Sequence, residues 1–158
     1  MSNLSVNRSK PEAGDHAVEV TNLSPLVVRA RMVFKAMLRI FAICILIQVF
    51  LAGLALFWDA AQWTSHIGFA KLLIIVSILI FVISFIARLP LSFRLRSAGL
   101  IGIIILIAVS AKLPSGIRYL SALHPVLALM LFFGSVSLAQ KTDALMKAKL
   151  KISAEQRD

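Results

Sequence analysis

The sequence predicts an all-α fold, a four-helix transmembrane bundle with up-down-up-down topology and an amphipathic juxtamembrane segment at each end. Hydrophobic residues make up 59% of the 158 residues, and the mean hydropathy is +0.91. A soluble domain of this length needs more polar residues to cover its surface. The apolar residues also form four nearly uncharged runs, each long enough to span or nearly span a bilayer as a helix. These runs lie at about 40–58, 67–87, 97–113 and 119–140.

The chain divides into a membrane domain and two polar ends. Residues 1–24 are polar and aperiodic, which predicts a flexible cytoplasmic tail before the four-span domain of residues 25–140. The pair Ser24-Pro25 is typical of a helix start. Basic residues then recur at every fourth position, which predicts an amphipathic lead-in among the lipid headgroups; these are Arg31, Lys35 and Arg39. Residues 141–158 predict a basic, amphipathic tail on the membrane surface.

The distribution of positive charge indicates orientation rather than a nucleic-acid partner. The formal charge of +10 comes from Lys and Arg that lie between and beside the apolar runs, not on one face of a soluble domain. They are concentrated before the first run, between the second and third, and after the fourth. By the positive-inside rule, both termini are predicted to be cytoplasmic and the lipid bilayer to be the partner. The histidine-bearing ends of the second and fourth runs are then predicted to lie near the outer leaflet.

Several classes of protein lack their characteristic residues. Cys44 is the single cysteine, so no internal disulfide and no Cys-x-x-Cys motif can form. No span contains an acid, whereas small four-helix multidrug transporters use a membrane-embedded glutamate; a small transporter is therefore a remote alternative. The chain offers no candidate nucleophilic triad or phosphate-binding loop. These absences favour a protein that is not an enzyme.

Two polar or small stripes predict helix contacts inside the bundle. Gln48 is the strongly polar side chain of the first run and shares one face with Cys44 and Ala52. An amide facing lipid would be unpaired, so Gln48 is predicted to be a structural residue that bonds across the bundle. In the third run, Ala98 and Gly102 predict a close helix approach.

A repeated pattern heads the second and fourth runs. His66 is followed by Ala70 and Ser77, and His124 is followed at the same offsets, 58 residues later, by Ala128 and Ser135. On a helix these offsets place all three residues on one stripe. The second and fourth helices of such a bundle are parallel and can be diagonal neighbours. The pattern therefore predicts two imidazoles at one depth, pointing inward.

Two interpretations of the histidine pair are open. In the first, His66 and His124 are the axial ligands of one b-type haem, and cationic side chains at the same level pair with its propionates. The propionate candidates are Lys71 and Arg118, with Lys112 near them. In the second, the histidines make structural or proton-handling bonds in a cofactor-free protein. A zinc site is disfavoured because Asp59 is the only nearby acid and two histidines are too few ligands.

Three segments resemble a group of small, uncharacterised four-helix bacterial membrane proteins. They are Ile47-Gln-Val-Phe-Leu-Ala-Gly-Leu54, His66-Ile-Gly68 and Leu123-His-Pro-Val126. The resemblance covers about residues 39–140 and implies this fold in a bacterial cytoplasmic membrane. A more distant likeness is to the four-helix units of haem A synthase and membrane cytochromes b, in which histidines on paired helices hold the iron. It carries over only to His66 and His124, because the second histidine pair and the acidic residue of those enzymes have no counterpart here.

The function predicted from these observations is that of an integral membrane protein with one haem b, acting in electron transfer or as an accessory subunit. The alternative is a cofactor-free structural or accessory membrane protein. Other membrane subunits or further copies of the chain are possible partners in either case.

Overall fold

The computed structural model describes residues 24–155, with side chains to residue 148. The predicted flexible tail, with His16, lies outside these residues except for Ser24, and so do the side chains at the end of the C-terminal tail. Within the described part, four α-helices and one 3₁₀ helix follow in order. They are α1 (Pro25–Phe57), α2 (Gln62–Ile86), α3 (Leu91–Ser110), the 3₁₀ helix (Ser115–Ala122) and α4 (Leu123–Glu155).

The predicted fold class is confirmed. Four helices are long and apolar enough to cross a membrane, and no strand occurs in residues 24–155. The helices form a square: α1 packs on α2 and α4, and α3 packs on α2 and α4. The second and fourth helices therefore stand on a diagonal, and the bundle interior lies between them. We call the end that carries His66 and His124 the histidine end, and the opposite end the basic end.

The core consists of large apolar residues together with small hydroxyl residues. Phe34, Phe41 and Ile80 are fully buried. Ser77 and Ser135, the last members of the two repeated patterns, are also buried. Each hydroxyl donates to a carbonyl of its own helix: Ser77 to that of Ile74, and Ser135 to that of Leu131. These polar side chains are thereby satisfied within one helix, and their small volume allows the helices to come close.

The basic lead-in differs from its expected environment. It is continuous with the first span, and Arg31 is only 4% exposed. Its guanidinium donates from Nε to the carbonyl of Ala87 (3.1 Å) and from one terminal nitrogen to that of Arg88 (3.2 Å). Lys35 and Arg39 both donate to the carboxylate of Asp143 on α4. The prediction that these side chains face lipid headgroups is therefore wrong for Arg31, which is buried against backbone carbonyls, whereas Lys35 and Arg39 stay partly exposed beside their acceptor.

The helix contact expected in the third span occurs at a different glycine. Gly102 is exposed, and a Cβ placed on it would meet nothing within 4 Å. A Cβ on Gly134 of α4 would lie 3.2 Å from Cδ2 of Leu100. The predicted close approach at Ala98 and Gly102 is thus wrong within the described chain, and Gly134 is where α3 and α4 need a small residue.

Candidate functional site

The two histidines face each other at the histidine end. His66 is the fifth residue of α2, after the short turn that follows α1, and His124 is the second residue of α4, after the 3₁₀ helix. Their ring centres are 6.3 Å apart, and the ring planes are inclined at 43°. Because α2 and α4 are diagonal, the side chains meet across the bundle interior and not along one helix–helix seam.

His66 is held by a reciprocal pair of hydrogen bonds with α1. Its Nδ1 lies 3.1 Å from the backbone carbonyl oxygen of Gln48, and the Gln48 side-chain Nε2 donates to the backbone carbonyl of His66 at 2.9 Å. A carbonyl oxygen only accepts, so Nδ1 carries the proton in this bond. In the neutral ring, Nε2 is then the nitrogen with a free lone pair. The edge of Trp63 packs against the ring, with the ring centres 5.5 Å apart.

His124 is oriented by a serine of α3. The hydroxyl of Ser110 donates to the carbonyl of Ile107 at 2.7 Å, and the same oxygen lies 3.3 Å from Nδ1 of His124. Because the single hydroxyl proton is already used, Ser110 accepts here and Nδ1 of His124 donates. The lone pair of the neutral imidazole is again on Nε2. Ser121 of the 3₁₀ helix donates to the carbonyl of Ser110 and holds this short helix against the end of α3.

A cavity of about 270 Å³ lies between the four helices beside the imidazoles. Its wall is almost wholly apolar, and an alanine of each of the four helices lines it: Ala52, Ala70, Ala108 and Ala128. The Oε1 atom of Gln48 is buried and has no hydrogen-bond partner among the described residues. A buried acceptor without a donor is costly, so this atom marks a place where a donor from water or a ligand is expected.

The cationic propionate candidates differ in position. Lys112 lines the cavity, whereas Lys71 and Arg118 are exposed and are not part of its wall. In the part of the chain that the structure describes, no three His, Cys, Asp or Glu side chains come together as a metal-ligating group. Among the described residues, the side chains that could bind a metal at this site are therefore the two histidines.

Sequence reasoning missed two residues that orient the histidines. Ser110 precedes His124 by 14 residues and lies at the end of another helix, so no helical spacing connects them. Trp63 lies three residues before His66, and this i, i+3 spacing places both rings on one face of α2. That spacing was a usable signal for Trp63.

Comparison with known proteins gives one match. No curated protein and no solved structure matches the chain. The likeness to membrane cytochromes b and haem A synthase therefore stays a prediction. Over residues 48–111, less than half of its length, the chain is similar to a protein family described as a family of unknown function, DUF6220. This segment extends from Gln48 through His66 to Ala111 and ends before His124.

Proposed function

We propose that this membrane protein binds one b-type haem through Nε2 of His66 and Nε2 of His124, and that it serves in electron transfer or as an accessory redox subunit. The observation that carries the proposal is the facing pair of imidazoles, each with Nδ1 bonded to the protein and Nε2 left free. Histidines that bind metals usually donate their other ring N–H to a protein acceptor, which fixes the tautomer and the ring orientation.

The separation of the two rings suits one metal ion between them. Metal–imidazole bonds of about 2.0–2.1 Å and a nitrogen-to-centre distance of roughly 1.1 Å in each ring place two opposed ring centres about 6 Å apart. The observed distance is 6.3 Å. An inclination of 43° between the planes is compatible with this arrangement, because each ring can rotate about its own bond to the metal.

The surrounding walls leave room for part of a macrocycle. Ala70 and Ala128 lie one turn deeper than the histidines, and the cavity extends past them. A cavity of about 150 Å³ holds benzene, so 270 Å³ is less than a porphyrin needs. Haem binding then requires apolar side chains around the cavity to move outward. Lys71 and Arg118 remain the predicted propionate partners, since both are exposed at the histidine end and neither has an ion pair among the described residues.

When bound, haem would supply a one-electron redox centre. The protein's contribution is the arrangement of its own groups. The Gln48 carbonyl and the Ser110 hydroxyl accept from the two Nδ1 atoms, so the lone pair of each neutral ring lies on Nε2. The wall around the rings is mostly apolar, and the polarity of its surroundings is one of the ways in which a protein sets a redox potential.

A cofactor-free accessory protein is the second candidate, and the small cavity favours it. In that case both imidazoles are structural, and a water molecule satisfies Oε1 of Gln48. The reciprocal bonds between Gln48 and His66 then serve to fasten α1 to α2, as polar side chains do in membrane bundles.

Titration of the detergent-purified apoprotein with haem distinguishes the two candidates. The wild-type protein should give a saturable, low-spin absorption spectrum at one haem per chain. His66→Ala and His124→Ala should each lose the low-spin spectrum, because a haem without one axial ligand becomes five-coordinate or dissociates. His16→Ala, in the predicted cytoplasmic tail, is the control and should match the wild type.

Circular dichroism of each variant shows that the bundle is intact. A variant that is helical yet retains the low-spin spectrum without His66 or His124 would contradict the assigned ligands. A folded wild-type protein that shows no saturable change with haem would contradict haem binding itself.

A further inference from the structure

A second, larger cavity opens between α2 and α3 at the membrane-facing side of the bundle. It is a groove of about 520 Å³. Aliphatic side chains line it, including Ile74 on α2 and Ile101, Ile105 and Val109 on α3. Ser77 also contributes, but its hydroxyl is engaged with the carbonyl of Ile74. No aromatic side chain contributes to the groove, so its shape suits a flexible hydrocarbon chain better than a flat ring.

One charged residue stands in this groove. Lys112 lies two residues after the end of α3, is exposed, and forms no ion pair within the described residues. Asp59 is an acidic residue at the same histidine end of the bundle. Its Oδ1 accepts a hydrogen bond from the backbone N–H of Ala61. A lysine ammonium has three donors and no acceptor. The groove therefore combines an aliphatic channel with a free cation at the level where lipid headgroups lie.

We infer that the groove binds one anionic phospholipid, with an acyl chain between α2 and α3 and the headgroup phosphate at Lys112. The charge of the lysine selects an anionic headgroup. The aliphatic lining suits a flexible hydrocarbon chain. This site uses neither His66 nor His124, although Lys112 lines the central cavity as well as the groove.

The position of the groove gives the lipid a structural consequence. Ile74, Ile104, Ala108 and Lys112 line both the groove and the central cavity. These shared side chains form a wall between the groove and the central cavity. An acyl chain in the groove would cover the outer side of this wall.

The test is lipid retention by the full-length protein. The protein is reconstituted in nanodiscs with equal parts phosphatidylglycerol and phosphatidylcholine, released into mild detergent, and examined by native mass spectrometry. One phosphatidylglycerol per chain should be retained in preference to phosphatidylcholine. Lys112→Ala should reduce this preference about fivefold, the effect expected of one lysine beside an anionic lipid. Lys71→Ala is the matched control, since Lys71 is exposed on α2 and does not line the groove.

A second pair of variants tests the hydrocarbon channel. Ile105→Trp should fill the groove and remove the retained lipid of either kind, whereas Leu106→Trp should not; both residues are more than half exposed, and only Ile105 lines the groove. Equal retention of the two lipids, equal effects of the two lysine variants, or retention unaffected by Ile105→Trp would each overturn the inference. Recovery of a bound quinone in place of a phospholipid would also overturn it.

Discussion

Replacement of Arg31 by methionine tests the packing at the basic end. Methionine retains the apolar stem of the side chain but removes both donors to the carbonyls of Ala87 and Arg88. These carbonyls end α2 and begin a turn in which Arg88 has a φ of 45°, so the turn depends on outside support. Each hydrogen bond from a charged donor contributes about 1.5–3 kcal/mol, and loss of both should destabilise the bundle by about 3–6 kcal/mol.

The measurement is the free energy of unfolding in mixed detergent micelles, followed by circular dichroism as the fraction of SDS rises. Arg29→Met is the control, because Arg29 lies on the same helix and is exposed. It should change the unfolding free energy by no more than about 0.5 kcal/mol. Equal and small changes in the two variants would refute the assignment of Arg31 as the residue that holds the turn between α2 and α3.

Two further pairs of substitutions test helix packing by the same unfolding measurement. Gly134→Leu should destabilise the bundle by about 1–3 kcal/mol because the new side chain meets Leu100. Gly102→Leu is the control and should have little effect, because the space around Gly102 is open. A larger cost at Gly102 would mean that the opposite face of α3 packs inside the bundle. Ala52→Leu should fill part of the central cavity and stabilise the bundle by about 0.5–2 kcal/mol, while Phe50→Leu, at a position 63% exposed, should have little effect. Equal unfolding free energies of these two variants would contradict the inward orientation of this face of α1.

The fold could be predicted because it depends on properties visible within single segments. Each apolar run is long enough to span or nearly span a bilayer, and the runs are separated by short polar turns, which leaves an antiparallel bundle as the simple arrangement. The environment of the lead-in could not be predicted in this way. Asp143, which accepts from Lys35 and Arg39, is more than 100 residues away in sequence, and the acceptors of Arg31 are backbone carbonyls that no side-chain pattern reveals.

The contacts between helices could likewise not be predicted from the sequence of one helix alone. A small residue such as Gly102 permits close approach but does not require it, and the sequence does not say which face of α3 meets a neighbour. Gly134 occupies that role because Leu100 projects toward it from another helix. This contact depends on a pair of residues on two different helices, and the periodicity within one helix does not predict such a pair.

For the candidate site, the sequence identified the two histidines and the small residues below them. It did not identify what orients the rings, because the partner of His66 is a backbone carbonyl and that of His124 is a serine on a different helix. It also did not separate Lys112, which lines the cavity, from Lys71 and Arg118, which do not. Spacing along the chain gives the level of a side chain in the membrane but not its direction across the bundle.

The visible absorption spectrum of the full-length protein, purified in mild detergent from cells grown with sufficient haem, decides whether the histidine pair holds a haem. With His66 and His124 as axial ligands, the protein should be coloured, contain one haem per chain, and show a Soret band with sharp bands on reduction, as a six-coordinate low-spin iron does. A folded, monodisperse protein without these bands would contradict the claim, and the facing histidines would then be structural residues of a cofactor-free membrane protein.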